Sequence, residues 1–456
     1  MKKLVLLIGV LLMTISGTGQ CWQKLALGFE YSTGIKTDGT LWSWGYNNKG
    51  QLGDGTQVNK NVPTKVGTDT DWAAVYPSYE HTVAIKTNGS LWAWGDNSNG
   101  QLGDGTSINR LSPTQIGTAS DWQMVALGTH ATIALKNDGT LWSWGGNPTG
   151  ILGSGNFVSR NTPAQIGTGN DWLSIAGGEA HIMAIKTDGS LWSWGYNYHG
   201  QLGIGSTIDK NVPTMVGTNM NWQWIKTGAT VNHHVAMQTD GTLWCWGYNT
   251  SGQLGNNTLS NRSTPGAFVS TNWQTIMTGG YFSVGKKNDG SIWAWGANNS
   301  GQLGIGSTVN KIVPTQIGTA TDWQSVTMGF SHCIGVKSNG TVWAWGSNYY
   351  GAYGNGTTSS SNSPVLISGC SLGIEEVTSY KKAFFVYPNP AKNVVQIKNI
   401  SGRRIEKVSI VDVSGKTIVE QNGNLFEVNV GGLEKGVYFL QVFIEGNKFQ
   451  EKFIKN

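Results

Sequence analysis

Apolar and polar positions along this chain alternate, or run apolar over strand lengths, and no stretch carries apolar residues at helical spacing. His81-Thr-Val-Ala-Ile-Lys86 and Leu91-Trp-Ala-Trp94 are representative. Two such segments are separated by an Asp-Gly or Asn-Gly pair seven times over, at Gly39, Gly89, Gly139, Gly189, Gly241, Gly290 and Gly340. Two adjacent residues that tolerate positive φ predict a two-residue type I′ hairpin at each place. A unit therefore reads as strand, tight turn, strand, hairpin, strand, long loop and a fourth strand beside a proline (Pro63, Pro113, Pro163, Pro213, Pro265, Pro314, Pro364). Proline lacks the N–H that an interior strand donates, so this fourth strand is expected at a sheet edge or just past the proline.

Tryptophan reports the same period. Pairs occur at Trp42/Trp44, Trp92/Trp94, Trp142/Trp144, Trp192/Trp194, Trp244/Trp246, Trp293/Trp295 and Trp343/Trp345, in steps of 50, 50, 50, 52, 49 and 50 residues. A third precedes each pair, at Trp22, Trp72, Trp122, Trp172, Trp222, Trp273 and Trp323, leaving only Trp224 of the 22 outside the scheme. A period of this length marks a stacked or radial repeat. Seven four-stranded antiparallel units, each burying both faces against a neighbour, predict an all-β, seven-bladed β-propeller. An open β-solenoid fits less well, because it favours shorter coils and capped ends.

Composition removes other classes. The 456 residues include 65 Gly and 22 Trp but only 12% charged residues. That much aromatic surface excludes a solvated, disordered chain, and 11 Pro without a Gly-X-Y register exclude a collagen-like one.

The motifs Gly178-Glu-Ala-His181 and Gly329-Phe-Ser-His332, followed in each unit by Asp-Gly-Thr-Leu-Trp-Ser-Trp-Gly and Asn-x-x-Gly-Gln-Leu-Gly or close variants, resemble the repeats of the regulator of chromosome condensation propeller family. The resemblance covers roughly residues 21 to 370. It implies fold more than function, since that fold hosts nucleotide exchange factors, inhibitors and adaptors.

The two ends differ from the ring. Residues 1–19 read as a secretory signal: Lys2 and Lys3, an apolar run from Leu4 to Ile15, then small residues. The run is short for a membrane span, so none is expected in the mature chain. The propeller is assigned to residues 20–370 and a linker to 371–382. Residues 383–456 carry alternating strands such as Val394–Lys398 and no Trp, and predict a small β-sandwich. Tyr387-Pro-Asn-Pro390, Val411-Asp-Val-Ser-Gly-Lys416 and Leu433-Glu-Lys-Gly-Val-Tyr-Phe-Leu440 resemble the type IX secretion C-terminal sorting domain. By that resemblance the tail engages secretion machinery and directs the chain to the outer cell surface or the medium.

The net charge of +5 hints at an anionic partner, but its distribution does not. Residues 20–370 hold 17 basic and 17 acidic side chains, while the excess lies in Lys2, Lys3 and a tail with 12 basic and 9 acidic residues. The ring lacks the basic footprint of nucleic-acid binding. The cysteines have no zinc spacing. Two of them break the repeat informatively: Cys21 replaces the Asp or Asn that precedes the first Trp of the other units, and Cys370 aligns with Asp69. In a closed ring they fall about two residues apart across the seam, which predicts a Cys21–Cys370 disulfide in an oxidising compartment. Cys245 and Cys333, inside strands, read as buried free thiols.

Repetition also separates scaffold from site. Asn47 and its six copies are expected to satisfy loop backbone, the Trp pairs to pack between blades, and His81, His181, His233 and His332, in one slot of four units, to be structural. The better candidates for binding are the residues that vary in the tight turns: Phe29, Glu30, Tyr79, Glu80, His130, Glu179, Tyr281 and Phe330. All three Glu before residue 371 fall here, as does a two-residue insertion in unit five. An aromatic, mildly acidic rim suits a protein or other polymeric extracellular partner. This setting resembles the secreted β-lactamase inhibitory protein II, a propeller of the same repeat family that contacts protein through such a face. The alternative is an enzyme in which Glu30 and Glu80 act as acid and base on a glycan or lactone. No Ser/His/Asp set, phosphate loop, metal cluster or cofactor motif accompanies them, and guanine nucleotide exchange conflicts with the export signals. One consequence is open to direct assay: the denatured, unreduced mature chain should titrate two thiols and the reduced chain four, whereas four without reductant would remove the disulfide.

Overall fold

The computed structural model describes residues 22–228, 230–268, 272–368, 384–387, 391–399, 404–412, 416–423, 425–444 and 447–455. The leader 1–19, both cysteines of the expected disulfide and the linker lie outside this set. The chain divides into two compact units between Glu376 and Val377.

The first unit contains seven four-stranded antiparallel sheets, each built from four consecutive strands. Blade one is Trp22–Leu27, Tyr31–Lys36, Leu41–Gly45 and Lys60–Lys65; blade seven is Trp323–Met328, His332–Lys337, Val342–Gly346 and Ser361–Ser368. The first strand of each blade is the innermost. First strands of successive blades touch all the way round, and Trp22–Leu27 meets both Trp72–Pro77 and Trp323–Met328, which closes the ring. The fourth strand is the outer edge. Its proline sits within it, as Pro63 does in Lys60–Lys65, because an edge position leaves the missing donor facing solvent.

The hairpins differ from the type I′ expectation. Positive φ is confined to the glycine, 78° at Gly39. Gly39 N–H donates to Lys36 O, and Lys36 N–H to Thr40 O, giving a type I turn closed by a left-handed glycine bulge. The Asp38 carboxylate secures this geometry by accepting from Thr40 N–H at 3.0 Å and Thr40 Oγ1 at 2.6 Å. Those hydrogen bonds, the hydroxyl's first, hold its pKa below the usual carboxylate range.

Three side-chain systems join the blades. The second Trp of every pair is at most 2% exposed and donates Nε1–H to a carbonyl of the preceding blade at 2.8–3.0 Å: Trp94 to Gln51, Trp144 to Gln101, and, across the seam, Trp44 to Ala352. Gly53 lets the backbone lie against that ring, since a Cβ there would stand 2.6 Å from Trp94 Nε1. Asn47 and its copies are buried and hold the long loop, Oδ1 accepting from Leu52 N–H and Nδ2 donating to Thr56 O and Val58 O.

The histidine slot forms the third system, and the structural reading matches its geometry. Each slot residue reaches the next blade: Tyr31 to Thr82 (2.9 Å), His81 to Thr132 (3.3 Å), His181 to His234 (2.7 Å), His233 to Ser283 (2.9 Å) and His332 to Ser32 (3.2 Å). Where the slot is apolar its neighbour is too, with Ala131 beside Ile182 and Phe282 beside Cys333 in shared apolar clusters. Burial drives the imidazoles of His81, His181, His233 and His332 down to about 3, so they are neutral in the fold.

The second unit has a three-stranded sheet (Phe384–Tyr387, Val394–Asn399, Glu427–Asn429) and a four-stranded one (Ile405–Val411, Thr417–Asn422, Gly436–Ile444, Asn447–Lys455). Val395, Ile410, Val428, Leu440 and Phe453 lie in its shared core, as a small sandwich requires.

The neutral histidines make stability depend on pH. On unfolding, an imidazole with an ordinary value of 6.5 gains a proton in mild acid. Stability is therefore full above about pH 6.5 and falls as pH drops toward 3, by up to about 1.4 kcal/mol per pH unit for each such group. Urea midpoints of the propeller should decline steadily from pH 7 to 4.5, and a flat profile would contradict the assignment.

Candidate functional site

The tight turns lie at the central mouth because they follow the innermost strands. Their backbone is hooked from blade to blade: Phe29 N–H donates to Ser78 O, Thr129 to Glu179 O, Glu179 to Val231 O, Gly280 to Phe330 O and Phe330 to Gly28 O. Such backbone hooks join the turn tips at five junctions among the described residues, and Ser78 Oγ–H donating to Gly128 O joins blades two and three.

On these turns the aromatic residues meet. Phe29 lies 4.3 Å from Tyr79 and 4.8 Å from Phe330, and Phe330 lies 5.5 Å from Tyr281, measured between ring centroids. The series continues through Tyr248, 5.7 Å from Tyr281, to His199, 4.3 Å further on. A second set joins Tyr46 to Tyr350 at 4.5 Å and Tyr350 to Tyr349 at 5.7 Å. The four expected aromatics are thus brought together, all half-buried. His130 is exposed on blade three, where Thr129 and Gly146 stand in place of rings.

The three glutamates have different roles. Glu30 is 7% exposed and turns into the seam, where its carboxylate accepts hydrogen bonds from Ser331 Oγ and, at 3.0 Å, Ser347 Oγ. Burial raises its pKa against the lowering effect of both hydroxyls. Glu179 is exposed and accepts from Asn232 Nδ2 at 2.5 Å, and Asn232 belongs to the insertion of unit five. Glu80 is half-buried. Burial raises the Tyr79 hydroxyl pKa first, and Glu80, Tyr350 and Glu179 then raise it further, so carboxylates from blades two and four act on one phenol. Glu179 similarly adds to the burial that raises Tyr281. Of the three turn glutamates expected as rim binding residues, Glu30 is corrected to a buried seam contact, leaving Glu80 and Glu179. The proposed Glu30–Glu80 acid-base pair loses its free member by the same observation. Among the described residues no cluster of three His, Cys, Asp or Glu is placed to hold a metal ion.

Sequence reasoning missed Tyr46, Tyr196, Tyr248 and Tyr350. The first three occupy the position directly after the Trp-x-Trp-Gly motif, whose N–H donates to the last turn residue in all seven blades: Tyr46 to Glu30 O, Asp96 to Glu80 O, Tyr196 to Ala180 O and Tyr248 to Asn232 O among them. Hairpin register alone places this variable position beside the turn.

Comparison with known proteins matches an RCC1-like domain over residues 10–232. It also matches regulator of chromosome condensation (RCC1) repeats over 240–285, 289–336 and 339–379, and a secretion system C-terminal sorting domain over 385–456. Among solved structures, human WBSCR16 is 21% identical with a TM-score of 0.64, covering 72% of this chain and 94% of its own. Prp20p of Saccharomyces cerevisiae, whose binding properties to Gsp1p and histones have been described, is 21% identical with a TM-score of 0.64 over 80% of this chain and 90% of its own. Yeast RCC1 (Prp20) bound to Kap60 gives 19% and 0.64 over 80% and 87%. At these identities the structural likeness establishes the fold alone.

Proposed function

This chain is a β-propeller of RCC1-type repeats carrying a secretion system C-terminal sorting domain, and from that premise we propose that it is exported to the cell surface or the medium and there binds a protein or other polymeric partner through the tight-turn rim. The observation that carries this reading is the continuous aromatic series Tyr79, Phe29, Phe330, Tyr281, Tyr248, flanked by Glu80 and Glu179. Five separate blades supply those rings, on loops that vary while the scaffold beneath them repeats. Half-buried tyrosines and phenylalanines on a rigid frame offer large contact area at small entropic cost, which suits the centre of a protein interface. Catalysis is the weaker reading, because Glu30 is engaged by Ser331 and Ser347 and leaves no free carboxylate pair with Glu80. Guanine nucleotide exchange requires a partner inside the cell, and a sorting domain directs this chain away from it.

The test is affinity capture from surface extract and culture medium by the full chain, compared with a Tyr79→Ala, Glu80→Gln, Glu179→Gln variant. Those three side chains are half-buried or exposed, so the variant should melt with the parent. The captured partner should bind the variant at least about tenfold more weakly, as expected when an aromatic anchor and its charged neighbours are removed. Undiminished capture would place the binding surface elsewhere.

A further inference from the structure

A cavity of about 370 Å³ opens in the groove between blades five and six, away from the mouth, and its walls include Asn256, Asn257, Trp273, Lys287, Trp293 and Pro314. The repeat explains most of this wall. In blades two, three, four and seven a lysine of the second strand lies over the first two tryptophans of its blade and pairs with the aspartate preceding the first of them. The distances are 3.0 Å for Lys86–Asp71, 3.1 Å for Lys136–Asp121, 3.1 Å for Lys186–Asp171 and 3.0 Å for Lys337–Asp322. Blade six keeps the lysine: Lys287 Nζ stands 4.0 Å from the Trp293 ring centroid and 5.2 Å from that of Trp273. It does not keep the aspartate, since Asn272 occupies that position. Across the groove Asn256 stands where blades one and two have Asp54 and Asp104. One carboxylate has become an amide beside a retained cation, since Asp54 and Asp104 pair instead with Lys60 and Arg110 of their own blades, and among the described residues no carboxylate is in contact with Lys287 Nζ, Asp289 acting on it only at longer range.

We propose that this groove binds an anionic sugar, a uronic acid residue, with Lys287 receiving the carboxylate. An ammonium held on an indole face with no carboxylate in contact favours an anion, and a carboxylate meets it with a charge-assisted hydrogen bond. Val313 and Pro314 supply an apolar wall for the carbon face of a pyranose ring. The Asn257 amide supplies a donor and an acceptor for a neighbouring hydroxyl, and Asn256, whose Oδ1 already accepts from Asn249 and Thr258, supplies its Nδ2 donor. The volume lies at the small end of ligand sites, about 300–1,000 Å³, which suits one sugar residue. Free uronate and a residue within an acidic polysaccharide share this chemistry.

The full chain is titrated calorimetrically with D-glucuronate, a galacturonate tetramer and D-glucose. Uptake of glucuronate and the tetramer alike assigns the site to a single residue, uptake of the tetramer alone assigns it to polymer, and glucose should not bind at matched concentration. The decisive variant is Asn272→Asp, which returns a carboxylate to the position that pairs the lysine in four other blades. The left-handed backbone there (φ 69°) tolerates Asp as it does Asn. Asn272→Asp and Lys287→Gln should each weaken uronate binding by about tenfold or more with an unchanged melting temperature. No uptake of either uronate, equal uptake of glucose, or full affinity in Asn272→Asp would overturn the proposal.

Discussion

A tryptophan ring sealed between two blades, its single N–H aimed at a carbonyl of the blade before, is the contact on which this ring depends. An indole has one donor and no acceptor, so burying it dry is costly unless that donor finds a partner. Here the partner is supplied by the long loop of the neighbouring blade, at Gln51, Gln101, Ile151 and their copies. The left-handed glycine two residues on gives the ring room. Burial of each ring contributes roughly 4–6 kcal/mol of area-based stabilisation before entropy is counted. Trp, glycine and loop carbonyl thus form one unit, which accounts for the recurrence of the Gly-Gln-Leu-Gly loop and the Trp pair at a single period.

The seam is where such a design is most exposed, because each blade is built from consecutive strands and no strand is shared between the first and last. Closure must therefore come from side chains and turns. Trp44 to Ala352, His332 to Ser32, and Phe330 N–H to Gly28 O reproduce the contacts of the other junctions. Glu30 adds something the others lack, a buried carboxylate held by two serine hydroxyls of blade seven. A ring closed in this way holds its turn tips in a fixed frame, which leaves the variable turn residues free to specify a ligand without carrying the fold.

Seven-fold repetition made the blade pattern legible, since any position repeated seven times declares itself scaffold. The hairpin type was not legible from Asp-Gly alone, because the Asp38 side chain selects a bulged type I turn through Thr40. The rim was half legible. Phe29, Tyr79, Tyr281 and Phe330 stood out as departures from the turn pattern, and their rings do meet. The inward course of Glu30 depends on Ser331 and Ser347, 301 and 317 residues away, and nothing local signals it. The tyrosines after Trp-x-Trp-Gly were within reach of register arithmetic, which pairs that position with the turn. Asn272 looked like a neutral variant of Asp until the lysine it fails to pair was placed beside it.

Exchange of the 22 indole N–H protons with solvent tests the closing contact most directly. Trp44, Trp94, Trp144, Trp194, Trp246, Trp295 and Trp345 should exchange only on global unfolding, with one common protection free energy. Trp42, Trp92, Trp142, Trp192, Trp293 and Trp343, half-buried rings that donate to Thr or Ser hydroxyls near the hairpins, should exchange sooner. Exchange of the seven inner indoles as fast as the outer set, or loss of protection confined to Trp44 at the seam, would contradict a ring held by seven equivalent contacts.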